Sequence, residues 1–63
     1  MNEQNLLEQG IDYFNQEKYE SAIEALNQAL QTNPNLAEAY YLRGVARRKL
    51  GDAQGAVDDY TQA

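Results

Sequence analysis

Apolar residues recur along this chain at helical spacing in four stretches, with polar breaks between them. Residues 3–16 place Leu6, Leu7, Gly10, Ile11, Tyr13 and Phe14 on one broad face. In residues 19–32, Tyr19, Ala22, Ile23, Leu26, Ala29 and Leu30 follow the i, i+3, i+4, i+7 spacing of an amphipathic helix. Residues 36–50 carry Ala39, Tyr40, Leu42, Val45, Ala46 and Leu50. Residues 53–63 carry Ala53, Ala56, Val57, Tyr60 and Ala63, which repeats the pattern of the second stretch. The spacing predicts four helices, an all-α fold.

The breaks differ in strength. At Asn33-Pro34-Asn35 the proline lacks an N–H and disfavours helix at the residue before it, and Asn35 is placed to cap the third helix. At Gly51-Asp52 a glycine ends one helix and an acid caps the next. The break at residues 15–18, Asn-Gln-Glu-Lys, has neither Gly nor Pro and rests on the apolar pattern alone.

Sliding the chain against itself by 34 residues brings Gly10 onto Gly44, Ala22 onto Ala56, Gln28 onto Gln62 and Ala29 onto Ala63. Ile23 then meets Val57, Leu26 meets Tyr60, Glu24 meets Asp58 and Leu6 meets Tyr40. A period of that length with two helices per unit describes stacked helical hairpins. A glycine in mid-helix costs about 1 kcal/mol relative to alanine, so two at equivalent places need a reason. Close approach of the partner helix supplies one, with Ala22 and Ala29, and then Ala56 and Ala63, expected opposite the glycines.

Taken together, these residues resemble the tetratricopeptide repeat (TPR) family. That family's pattern has a large apolar residue, Leu-Gly, an aromatic, then Ala, an aromatic or apolar residue, Ala and a closing Pro. Residues 3–36 offer Leu6, Gly10, Tyr13, Ala22, Leu26, Ala29 and Pro34 at those places, and residues 37–63 offer Tyr40, Gly44, Ala56, Tyr60 and Ala63. Gln9 and Arg43 stand where the family has Leu, and Arg47 stands where it has an aromatic. The resemblance implies one domain of two repeats over residues 1–63, the second incomplete at its C-terminal end. It also implies that other helices, from neighbours or from a second copy, cover the open end.

Composition then narrows the chemistry. The chain is 63 residues long, so its core is small. It has no cysteine and no histidine, which removes disulfides, thiolate metal sites, the commonest general base and the commonest transition-metal ligand. Asp58-Asp59 and Glu20/Glu24 are paired acids, but sequence neighbours point to different helix faces and i, i+4 acids form a solvated stripe. No catalytic residue, metal site or cofactor is expected, and an enzyme is not the reading. The N-terminus has no basic segment followed by an apolar run, and no stretch approaches a membrane span, so a cytoplasmic protein is expected.

Net charge is −5, unevenly spread. Residues 1–34 hold six acids against Lys18, whereas residues 35–63 balance four acids with Arg43, Arg47, Arg48 and Lys49. An acidic chain repels phosphate backbones, so nucleic acid is not an expected partner despite that basic cluster.

The TPR resemblance implies a scaffold that binds a peptide or partner protein in a concave groove lined by the first helix of each hairpin. Carried over by position, the groove residues are Gln4, Leu7, Ile11, Phe14 and Asn15, then Glu38, Tyr41, Val45, Arg48 and Lys49. Each set falls on one helix face. Leu7, Ile11 and Phe14 also read as core, and Arg47, Arg48 and Lys49 also read as a solvated helix end favoured by the dipole. The carboxylate clamp of one TPR subclass is not matched, since Leu7, Ile11 and Leu42 occupy its places. The alternative reading is a self-assembling homo-oligomer, held by apolar surface at Leu50, Val57 and Tyr60. In one version of it the first two helices fuse through the breaker-free turn and exchange between copies.

Overall fold

The computed structural model describes residues 3–63. Four helices follow in order: α1 Glu3–Asn15, α2 Tyr19–Thr32, α3 Ala37–Lys49 and α4 Ala53–Gln62. Each packs chiefly on the next in the chain, and α1 also touches α3 lightly. The Cα frame measures 29 × 24 × 13 Å. The shortest extent is the thickness of two helices in contact, given interaxial spacings of about 8–10 Å and a Cα cylinder about 4.6 Å across. The four-helix, all-α arrangement expected from apolar spacing is present.

The two hairpin turns share one backbone device built from different residues. After α3, Gly51 takes a left-handed φ of 91°. Its N–H donates to the Arg48 carbonyl at 3.0 Å, and the Asp52 N–H donates to the Arg47 carbonyl at 2.8 Å. This pair of bonds is the Schellman closure of a helix end. After α1 the same closure appears around Glu17, at φ 62°. There Glu17 N–H donates to Phe14 O at 3.0 Å and Lys18 N–H to Tyr13 O at 2.9 Å. The turn is real although no breaker announces it, because backbone hydrogen bonding and helix packing hold a side-chain-bearing residue where glycine fits best. Asp52 also caps α4, its carboxylate accepting from Gly55 N–H at 2.9 Å, whereas Lys18, at the matching place before α2, supplies no side-chain cap.

At the middle connection the expected cap is corrected. Asn35 does not cap α3; Leu36 occupies the cap position without a side-chain hydrogen bond. Asn33 is the organising residue, its side-chain oxygen accepting from Asn35 N–H at 3.1 Å while its own N–H closes α2 onto Ala29 O. An Asx turn after a helix end needs the Asn two residues ahead of its donor, and Asn33 is the one so placed.

Close approach at the glycines is present, and the expected neighbours are met in part. A Cβ on Gly10 would lie 2.6 Å from Leu26 Cδ2, and one on Gly44 would lie 2.8 Å from Tyr60 Cε1 and 3.2 Å from Asp59 Cβ. The nearest neighbours of the glycines are therefore Leu26 and its register mate Tyr60. The Ala22 carbonyl oxygen, expected opposite Gly10, lies 3.7 Å from the same Cβ position, whereas Gly44 meets Tyr60 and Asp59 and not the expected alanines. Ala22, Ala29 and Ala56 are buried, and Ala63 is exposed.

The core is lopsided. Leu6, Leu7, Leu26 and Leu30 are buried with Ala22, Ala25 and Ala29, all within α1 and α2. From α3 and α4 the buried apolar side chains are Ala39, Ala46 and Ala56. Leu7, Leu26, Leu30 and Ala39 form a cluster against which Ile11, Leu36, Tyr40 and Leu42 pack, and this cluster is what joins the two hairpins.

Candidate protein-interaction surface

The second hairpin offsets its thin apolar core with ions. Asp59 on α4 is 2% exposed and is gripped from two sides. Arg43 donates to it through Nε at 3.0 Å and Nη2 at 2.7 Å, and Arg47 donates through Nη1 at 3.0 Å. Arg43 Nη1 also donates to the Asn27 side-chain oxygen on α2 at 2.6 Å, and its guanidinium lies 5.4 Å from the centre of the Tyr40 ring. A forked guanidinium suits this bidentate grip, and the carboxylate is satisfied on both oxygens. Two of the three departures from the family pattern, Arg43 and Arg47, are thus structural partners of Asp59. Sequence reasoning missed the network, although a signal existed: in the 34-residue register Arg43, Arg47 and Asp59 replace Gln9, Tyr13 and Ala25 together.

This changes the basic cluster. Arg43 and Arg47 are committed to Asp59, with side chains 16% and 27% exposed, which leaves Arg48 and Lys49 as the open cations of α3. Both stand in the last turn, where positive charge complements the helix dipole.

The groove residues expected on α1 separate into two kinds. Leu7 is corrected to core: it is 7% exposed and packs with Leu26, Leu30 and Ala39, because α3 crosses over it. Ile11 is half-buried against the same cluster, and Phe14 is half-buried with its ring edge-on to Tyr19 at 5.6 Å. Gln4 and Asn15 are exposed at the two ends of the helix.

The matching stripe on α3 is open. Glu38, Arg48 and Lys49 are exposed, Val45 is half-buried, and Tyr41 is 54% exposed. Tyr41 leans toward α4, its ring 5.9 Å from that of Tyr60. Tyr60 is 36% exposed, and Val57, one turn earlier on α4, is 56% exposed. Leu50 is also half-exposed, after the end of α3. The proposed groove set on the second hairpin and the proposed self-association set at Val57 and Tyr60 are therefore neighbours through the Tyr41–Tyr60 contact.

On the first hairpin, a shallow polar cleft is lined by Gln9, Tyr13, Ser21, Glu24, Ala25 and Gln28. Three of its lining residues, Gln9, Tyr13 and Ala25, fall at the register positions that hold the Arg–Asp network on the second hairpin. Among the described residues no group of three or more acids is placed to hold a metal ion, and no helix is long and apolar enough to cross a membrane.

Two comparisons bear on this geometry. A family model described as a TPR repeat matches residues 10–51. RNA polymerase II-associated protein 3 of Xenopus tropicalis is 46% identical to the chain over 48 residues, which cover 76% of the chain and 7% of that relative. The chain thus corresponds to a small fraction of the curated relative's length.

Proposed function

The chain belongs to the tetratricopeptide repeat family, and from that premise we propose that it binds a peptide or a segment of a partner protein across the exposed faces of α1 and α3. Repeats of this family generally mediate protein–protein interaction, and the family is in general a non-enzymatic scaffold. The observation that supports the reading is Tyr41. A large aromatic held half in solvent, flanked by Val45 and two open cations, is the kind of residue that anchors interfaces. The partner segment would set an apolar side chain against Tyr41 and Val45 and an acidic one against Arg48 and Lys49. Gln4, Ile11, Phe14 and Asn15 would extend the contact along α1. The amphibian relative is named for association with RNA polymerase II, and the shared residues support the scaffold part of such a role.

A displayed peptide library selected on the folded chain tests this. Selected peptides should perturb the backbone amide resonances of these α1 and α3 residues. Tyr41→Ala should weaken binding by about 1 kcal/mol or more, roughly fivefold. Perturbation confined to α2 and α4, with wild-type affinity in the Tyr41 variant, would remove the assignment.

A further inference from the structure

The open stripe of α3 is self-complementary. Glu38, Tyr41, Val45 and Arg48 fall within about 80° of arc at 100° per residue, so they form one narrow band along the helix. Read from either end, the band is symmetric about position 43, with an acid and an aromatic on one side and an aliphatic and a cation on the other. Glu38 and Arg48 are separated by about 15 Å of helix rise. They are too far apart to pair within one chain, and neither forms an ion pair among the described residues.

We infer that this stripe pairs with the same stripe of a second copy, α3 against α3 and antiparallel, about a two-fold axis at position 43. In that register Glu38 meets Arg48 of the second copy and Tyr41 meets its Val45, and symmetry makes each pair twice. Tyr60, already beside Tyr41, and the exposed Val57 one turn before it on α4 widen the apolar centre. Leu50 lies off the band and takes no part. Head-to-tail stacking is the poorer alternative. In the 34-residue register α1 carries Asn5 and Glu8 where α3 presents Ala39 and Leu42 to the first hairpin. A second copy's α1 would therefore bring polar groups to an apolar seam.

The inference goes beyond the peptide-binding reading and stands or falls without a peptide. Sedimentation equilibrium of the full chain between about 10 μM and about 1 mM should show a monomer–dimer equilibrium that weakens with added salt. Glu38→Arg and Arg48→Glu, each placing like charges opposite in both pairs, should each weaken association at least about tenfold. Both residues are exposed, so circular dichroism should report unchanged helicity. An equimolar mixture of the two variants should recover association near the wild-type level, because the mixed dimer restores opposite charges at both pairs. A strict monomer throughout overturns the inference, and so does a mixture that associates no better than either variant alone.

Discussion

Replacing Glu17 by glycine isolates the cost of the first hairpin turn. Glu17 holds a left-handed φ of 62° while carrying a Cβ, whereas its register mate Gly51 holds 91° without one. A left-handed conformation costs an L-residue about 1–2 kcal/mol through contact of Cβ with the following carbonyl. Glycine returns part of that gain, about 0.5–1 kcal/mol, because it has more backbone freedom to lose on folding. The net expectation for Glu17→Gly is a stabilisation of about 0.5–1 kcal/mol. For a chain of this size that corresponds to roughly 4–8 °C in Tm.

Part of the gain could arise from charge, since Glu17 is an acid just past the C-terminus of α1, where the dipole disfavours it by a few tenths of a kcal/mol. Glu17→Gln separates the two effects, because it removes the charge and keeps the Cβ. Thermal and urea unfolding followed by circular dichroism should rank Glu17→Gly above Glu17→Gln, with both above wild type. The reciprocal change, Gly51→Glu, should lower stability by a comparable amount. If Glu17→Gly is no more stable than Glu17→Gln, the left-handed geometry carries no cost there and the account of the turn is wrong.

Two further outcomes follow from the packing. Gly10→Ala should destabilise more than Gly44→Ala, by about 1–2 kcal/mol, because Leu26 is enclosed while the Tyr60 ring can swing into solvent; equal urea midpoints for the two variants would count against this. Asp59→Ala should cost about 3 kcal/mol, since it strands two guanidiniums that retain only partial access to water. A loss under 1 kcal/mol by the same assay would show that the network contributes little.

The helices were legible because apolar spacing is a local property, and Leu26 or Ala29 announces its face without knowledge of the rest of the chain. The turn at Glu17 was legible only through the pattern on either side, since backbone geometry there overrides residue preference. At the middle connection the α3 cap falls on Leu36 and the side-chain hydrogen bond on Asn33 rather than Asn35, because the two asparagines are chemically alike and only the hydrogen-bond direction distinguishes them. At the interaction surface the difficulty was one of partners. Leu7 and Tyr41 hold the same position in their repeats, yet Leu7 is covered in the cluster with Leu26, Leu30 and Ala39 while Tyr41, on α3, stands half in solvent. Arg43 and Arg47 read as surface cations until Asp59, 16 and 12 residues away, is brought between them.

The uneven core has a consequence for how the molecule comes apart. Every buried leucine lies in the first hairpin, and the second buries alanines and one shared carboxylate. A stack of repeats unfolds as a row of coupled units, each with its own intrinsic stability and a coupling to its neighbour. Here the units are unequal. The second hairpin has little apolar area of its own and draws its order from the first, through Ala39 in the leucine cluster and through Arg43 reaching back to Asn27. Loss of structure should therefore be directional, starting at α4 and ending at α1 and α2. A ligand held on α3 would brace the half of the protein that is least able to stand alone.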